Sequence, residues 1–190
     1  MEAGALRATQ RGPSRASALI LAGTSSRIIA TPVVMALVLG HSYTAAAIVF
    51  IVVSATDWFD GRLARRWEVT TRLGAFLDTT ADKLLVTTAL IALVAVDRAS
   101  PWVALVIVGR EFAILGLRVA VVAEGRHFET SMVGKWKATV QFIAIALAML
   151  RPDVVIAGAY LDQWAMVIAA LITAWSGIDY LLRFSATLRA

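Results

Sequence analysis

Apolar residues fall into six runs separated by short polar stretches: Leu19–Leu39, Thr44–Thr56, Leu73–Val96, Trp102–Val122, Thr139–Leu150 and Trp164–Leu182. A helix needs about 20 residues to cross the hydrocarbon of a bilayer. The second and fifth runs are shorter and reach that length only if their helices continue into the polar motifs beside them, forward through Arg65 and back to Lys135. Such polar ends must face protein or a wet cavity, because lipid cannot satisfy them. The pattern predicts an all-α integral membrane protein with six transmembrane helices. Residues 1–17 are expected to form a cytoplasmic or interfacial arm and residues 18–190 one six-helix domain. The first run does not read as a cleaved signal peptide, since Arg27 interrupts it and no small-residue cleavage site follows.

Composition sharpens this picture. Of the 190 residues, 59% are hydrophobic and only 16% charged, with a mean hydropathy of +0.77. A soluble domain of this length is rarely so apolar. The absence of cysteine excludes disulfides and thiolate metal sites. A net charge of +5 would fit nucleic acid in another setting; in a chain this apolar it marks basic cytoplasmic loops and implies no nucleic-acid partner. Six spans put both termini on one side. That side then receives Arg7, Arg11, Arg15, Arg62, Arg65, Arg66, Arg72, Arg126, Lys135, Lys137, Arg183 and Arg189, and the other only Arg98 and Arg151. The positive-inside rule therefore places both termini in the cytoplasm. The expected location is the cell (inner) membrane, multi-pass, with the chemistry facing the cytoplasm.

The polar residues concentrate in one stretch, "TDWFDGRLARRWEVTTRLGAFLDTTADK", residues 56–83. Asp57 and Asp60 are three apart and share a helix face; Asp78 and Asp82, four apart, share another. A short basic turn between the two helices would fold them antiparallel and bring four carboxylates together. Like charges in a partly dry site repel by several kcal/mol per pair, on the order set by Coulomb's law at intermediate dielectric. Oxygen ligands without His or Cys favour a hard divalent ion, and such ions usually hold phosphates. Gly61 and Ala64 leave room for a nucleotide at the helix backbone. The blander alternative pairs these aspartates with Arg62, Arg65, Arg66 and Arg72 on a solvated face; it accounts for one pair more readily than for four carboxylates at helical spacing.

The pattern Asp57-x-x-Asp60-Gly61-x-x-Ala64-Arg65, eight residues, Gly74-x-x-x-Asp78-x-x-x-Asp82 resembles the signature of the CDP-alcohol phosphatidyltransferases at every fixed position. The resemblance implies six transmembrane helices with both ends cytoplasmic. It implies displacement at the phosphorus of a CDP-activated lipid, CDP-diacylglycerol, by an alcohol, with release of CMP. It further implies that Asp57, Asp60, Asp78 and Asp82 hold two ions, Mg²⁺ or Mn²⁺. Asp82 would also be the catalytic base on the attacking hydroxyl. Gly61, Ala64, Arg65 and Gly74, with Asp57 and Thr24, would line the CDP pocket. A homodimer is a further implication. Thr79 stands where many family members carry proline in "LDTTADK", and Ala18 where many carry asparagine, so the start of the third helix and a polar contact in the first are expected to differ.

Three more stretches carry charge at membrane depth. "TSSRIIATP" contains Thr24 and Arg27; Arg27 is expected either to bind an anion or to pair with an internal acid such as Asp57. "GREFAILGLR" puts Arg110 and Arg118 two turns apart on one face, with Glu111 expected as a structural partner. "GKWKATVQF" opens the fifth helix with Lys135 and Lys137, each by itself readable as a plain membrane anchor. Together Arg110, Arg118, Lys135 and Lys137 are expected to form a pocket for a phosphate on the acceptor. These stretches, and more thinly "WSGIDYL" near the C-terminus, resemble the bacterial branch of the family that uses sn-glycerol 3-phosphate. Ala138 departs from it, since threonine is frequent there. Rival readings are another acceptor in the same family (inositol phosphate, or phosphatidylglycerol as in cardiolipin synthesis), a metal or proton transporter, and an inactive homologue. The acids near a cytoplasmic helix end, beside arginines and small residues and without a repeat, count against a transporter.

Overall fold

A computed structural model describes residues 15–66, 72–123 and 132–188, with side chains at 23–56, 76–121 and 136–182. Six helices follow one another: α1 (Arg15–Leu39), α2 (Tyr43–Arg66), α3 (Arg72–Ala95), α4 (Pro101–Ala123), α5 (Met132–Leu150) and α6 (Leu161–Leu188). The two short apolar runs are extended as their length required. α2 carries on through the polar motif to Arg66, and α5 begins at Met132, before the lysines. α3 starts at Arg72, ahead of Thr79, so the position where proline is frequent lies inside a continuous helix here.

The helices pack through small side chains. α1 packs against both α2 and α3, α6 against α4 and α5, and α5 bridges to α2. Ala46, Ala47, Ala89, Ala92, Ala144, Ala148 and Ala169 are buried among Val34, Val38, Phe50, Leu90, Leu93, Ile107, Ile145 and Met149. Alanine at the contacts lets helix backbones approach closely, which drives association where the surroundings are as apolar as the helices. The outward faces are apolar as well: Ile29, Ile48, Leu105, Leu171 and Trp175 all stand more than half exposed. An apolar surface on every side far exceeds what a protein in water shows. Among the described residues one stretch, Leu161–Leu182, is by itself long and apolar enough to cross a membrane. Gly23–Leu39, Tyr43–Thr56 and Trp136–Leu150 form shorter apolar stretches, and charged residues break the apolar runs of α3 and α4.

The end of the bundle bearing Arg98 and Arg151 is closed by tight connections. Gly40 and Ser42 donate back to the carbonyls of Ala36 and Leu37 at the end of α1. Arg98 donates to the Met149 carbonyl at 2.6 Å, satisfying the C-terminus of α5, and stacks over the Tyr43 ring. Arg151 donates to buried Asp162 at 3.3 Å and to the Asp97 carbonyl. The all-α expectation omitted one feature here: a two-stranded hairpin, β1 (Val155–Ile156) and β2 (Ala159–Tyr160), turning at Ala157–Gly158. Both turn residues have positive φ, 52° and 84°, the geometry two-residue hairpins favour.

Candidate functional site

The polar cluster is built on the N-terminal half of α3. Asp78 and Asp82 lie one turn apart on a common face, as their spacing required. α1 meets that face with Thr24 and Arg27, themselves three apart. Arg27, 2% exposed, pairs with the Asp78 carboxylate through Nη2 and donates to the Asp78 carbonyl through Nη1 at 3.0 Å. Thr24 Oγ1 donates to Asp78 Oδ1 at 3.4 Å. Arg27 thus meets an internal acid, as one of its two expected roles required, and among the described residues that acid is Asp78; the side chain of Asp57, the acid expected there, lies outside the described residues. α1 packs on the α3 face that carries Asp78, and an arginine this deeply buried needs an anion within reach. Thr24, expected at the CDP pocket, stands beside one of the expected metal ligands.

Asp82 is held differently. Among the described residues it makes no ion pair or hydrogen bond, although it lines a cavity of about 30 Å³ with Lys83, Glu111, Lys137 and Gln141. The remaining groups of that cavity form their own network. Glu111 of α4, buried, pairs with Lys83 of α3 and with Lys137 of α5, and accepts from Arg110 Nη1 at 3.4 Å. The expected Arg110–Glu111 pair is therefore present, but it is the longest of three. Lys137, assigned to an acceptor phosphate, is buried against Glu111 rather than anchored at a membrane surface. Arg110 reaches α6, where Nη2 donates to Ser176 Oγ at 2.8 Å. Arg118, two turns further along α4, is half-buried and makes no ion pair or hydrogen bond with a described residue. Among the described residues the cavity is lined by two carboxylates, Asp82 and Glu111, and two ammonium groups, Lys83 and Lys137, and Arg110, in contact with Glu111, adds a third cation. The surplus favours an anion.

The side chains of Asp57, Asp60, Gly61's neighbours Ala64 and Arg65, and Lys135 lie outside the described residues, as does the surrounding of Gly61 and Gly74. The backbones of these positions fall within α2, α3 and α5. Among the described residues no three acidic or histidine side chains gather as a metal site; the expected group of four requires Asp57 and Asp60. The donor chemistry that is described fits a hard divalent ion. Among the described residues Asp82 offers a carboxylate without a competing cation in direct contact, and Asp78 contacts Arg27 and Thr24 through Oδ1 and makes no such contact through Oδ2.

Sequence reading missed two members of the network. Lys83 was visible only as the last letter of "LDTTADK", next to Asp82 and so easily taken as a solvated neighbour. Ser176 was visible only as a small polar residue in "WSGIDYL", where other positions are bulky. Neither has a spacing signal, because each partner sits on a different helix.

Comparison with known proteins adds to this geometry. A family model described as CDP-alcohol phosphatidyltransferase matches residues 21–175, and that family is membrane-associated in bacteria and generally depends on a divalent metal. The chain is 41% identical over 141 residues to a Bacillus subtilis protein named CDP-diacylglycerol–glycerol-3-phosphate 3-phosphatidyltransferase, covering 73% of this chain and 72% of the relative. Proteins of the same name from Sodalis glossinidius (41% over 140 residues, 71% and 75% covered) and Escherichia coli K12 (42% over 142 residues, 72% and 76% covered) are similar to the same degree.

Proposed function

The chain belongs to the CDP-alcohol phosphatidyltransferase family and is a transferase, and we propose that its reaction moves the phosphatidyl group of CDP-diacylglycerol to sn-glycerol 3-phosphate, giving phosphatidylglycerophosphate and CMP. The observation that carries the choice of acceptor is the cationic surplus beside Asp82. An acceptor bearing a phosphate needs such charge, whereas serine or an uncharged alcohol does not. The names of the relatives point the same way. We place the site at the cytoplasmic end of six spans with both termini in the cytoplasm, supported by the apolar girdle and by the one-sided Lys and Arg distribution.

In this reading Asp82 accepts the proton of the attacking acceptor hydroxyl. The new bond forms between that oxygen and the phosphorus bearing the diacylglycerol, and the bond from that phosphorus to the CMP oxygen breaks. Arg110, Arg118, Lys135 and Lys137 hold the acceptor phosphate and orient its hydroxyl toward Asp82. Thr24, Asp57, Gly61, Ala64, Arg65 and Gly74 receive the cytidine diphosphate, the small residues by letting it approach the helix backbone. Asp57, Asp60, Asp78 and Asp82 hold two Mg²⁺ or Mn²⁺ ions, which when bound neutralise the pyrophosphate and stabilise the leaving phosphate. Arg27 keeps Asp78 fixed in rotamer and leaves its outer oxygen for a ligand.

The test offers purified protein CDP-diacylglycerol and Mg²⁺ or Mn²⁺ with glycerol 3-phosphate, inositol phosphate, serine or phosphatidylglycerol in separate reactions, and weighs the lipid product by mass spectrometry. CMP release and a phosphatidylglycerophosphate mass with glycerol 3-phosphate alone are expected. Turnover confined to another alcohol would keep the transfer chemistry and overturn the acceptor.

A further inference from the structure

Arg110 is seated by α6 in a way that the acceptor pocket alone does not explain. Its side chain leaves α4 and crosses α6 over Gly177. A Cβ at Gly177 would lie 2.9 Å from Arg110 Cγ, 3.8 Å from Nε and 4.0 Å from Cδ. The stem of the arginine therefore occupies the space that a side chain at 177 would fill. One residue earlier, Ser176 is 3% exposed and accepts Nη2 at 2.8 Å. Glu111 accepts Nη1 at 3.4 Å. Two edges of the guanidinium are fixed, and Nε remains as a buried donor with no partner among the described residues. A guanidinium's donors are arranged to meet two oxygens of one phosphate, and a buried donor left unmade costs about 1–3 kcal/mol until something accepts it.

We propose that Ser176 and Gly177 are positioning residues that set acceptor specificity, forming a slot on α6 that presents the Arg110 guanidinium to a phosphate monoester on the acceptor. The proposal rests on the reading that Arg110 binds the acceptor phosphate. The glycine is required because Cγ is the second carbon of the arginine stem. A methyl group at 177 displaces the side chain near its root, and the shift is carried to the guanidinium at its tip. The serine is required because it holds Nη2 while Glu111 holds Nη1, so that the plane of the guanidinium is set at two points. Displacements of about 1 Å at a positioning group cost up to about a hundredfold in catalytic efficiency.

The test measures kcat and KM for both substrates in Gly177→Ala, Ser176→Ala and Arg110→Gln, and in the two double variants with Arg110→Gln. KM for glycerol 3-phosphate is expected to rise about ten- to a hundredfold in Gly177→Ala and about tenfold in Ser176→Ala, from loss of one hydrogen bond. KM for CDP-diacylglycerol and the temperature of half-inactivation stay at parental values. With Arg110→Gln in place, neither α6 substitution raises the acceptor KM further, which a general weakening of the bundle would not reproduce. Ser176→Ala keeps the test open if Gly177→Ala does not fold. Unchanged acceptor KM in both α6 variants, with Arg110→Gln raising it, overturns the positioning role alone. Unchanged acceptor KM in Arg110→Gln overturns the phosphate-binding reading of Arg110 and the positioning role with it. An equal rise in both KM values with a lowered inactivation temperature assigns Ser176 and Gly177 to packing only.

Discussion

Asp82→Asn is expected to fold, to survive extraction into detergent and to bind CDP-diacylglycerol, while its CMP release falls by about a hundred- to ten-thousandfold. The substitution keeps the volume and shape of the side chain and removes its charge. Among the described residues Asp82 makes no ion pair or hydrogen bond that its loss would break, so the bundle should hold. On the proposed mechanism the substitution removes the group that accepts the acceptor's proton, together with one oxygen ligand for the divalent ions. Single-turnover CMP release and binding of labelled CDP-diacylglycerol, measured on the same preparation, separate the two effects. Turnover like that of the parent would remove the assignment of Asp82 as base.

The second large effect concerns stability. Glu111 is the one described carboxylate that Lys83, Lys137 and Arg110 share, and it lies within the bundle with 8% of its side chain exposed. Glu111→Ala leaves three cations close together with no counter-charge in contact among the described residues. Removing one partner of a buried ion pair typically costs about 3–5 kcal/mol, a large part of the roughly 5–15 kcal/mol that holds an ordinary domain. Asp153, in the exposed connection before the hairpin, is the matched control: Asp153→Ala is expected to change stability by about 0.5 kcal/mol or less. Thermal inactivation in detergent should show Glu111→Ala lost well below the parent and Asp153→Ala alongside it. A Glu111→Ala midpoint indistinguishable from the parent would show that the three cations are solvated, and that Glu111 does not organise them.

Much of the fold was legible because apolar length and polar length are governed by different limits. A run of 12 or 13 apolar residues is too short to span, so the expected α2 and α5 helices were extended into the polar motifs beside them, and both helices do run through those motifs. The hairpin at 155–160 was not legible: four strand residues carry no periodicity, and Ala157–Gly158 is a weak turn signal. The spacing of Asp78 and Asp82 fixed their common face, but no spacing rule could show that Arg27 meets Asp78. That contact depends on how α1 is rotated against α3. The same limit applies to Lys137. From sequence it belongs to a basic cluster, and only the packing of α5 toward α4 turns it onto Glu111. Arg118, two turns along α4 from Arg110, is half-buried and makes no ion pair with a described residue; no spacing rule could show which group faces it.

The central claim is that aspartates of α2 and α3 hold the divalent ions on which transfer depends. It is tested most directly by stripping the purified protein with a chelator and titrating Mn²⁺ back while following bound Mn²⁺ by electron paramagnetic resonance and CMP release in the same samples. About two Mn²⁺ per chain are expected, with turnover that rises with occupancy from a chelated baseline near zero and tight binding lost in Asp78→Asn. Full CMP release from stripped protein in excess chelator, with no Mn²⁺ bound on titration, would contradict it.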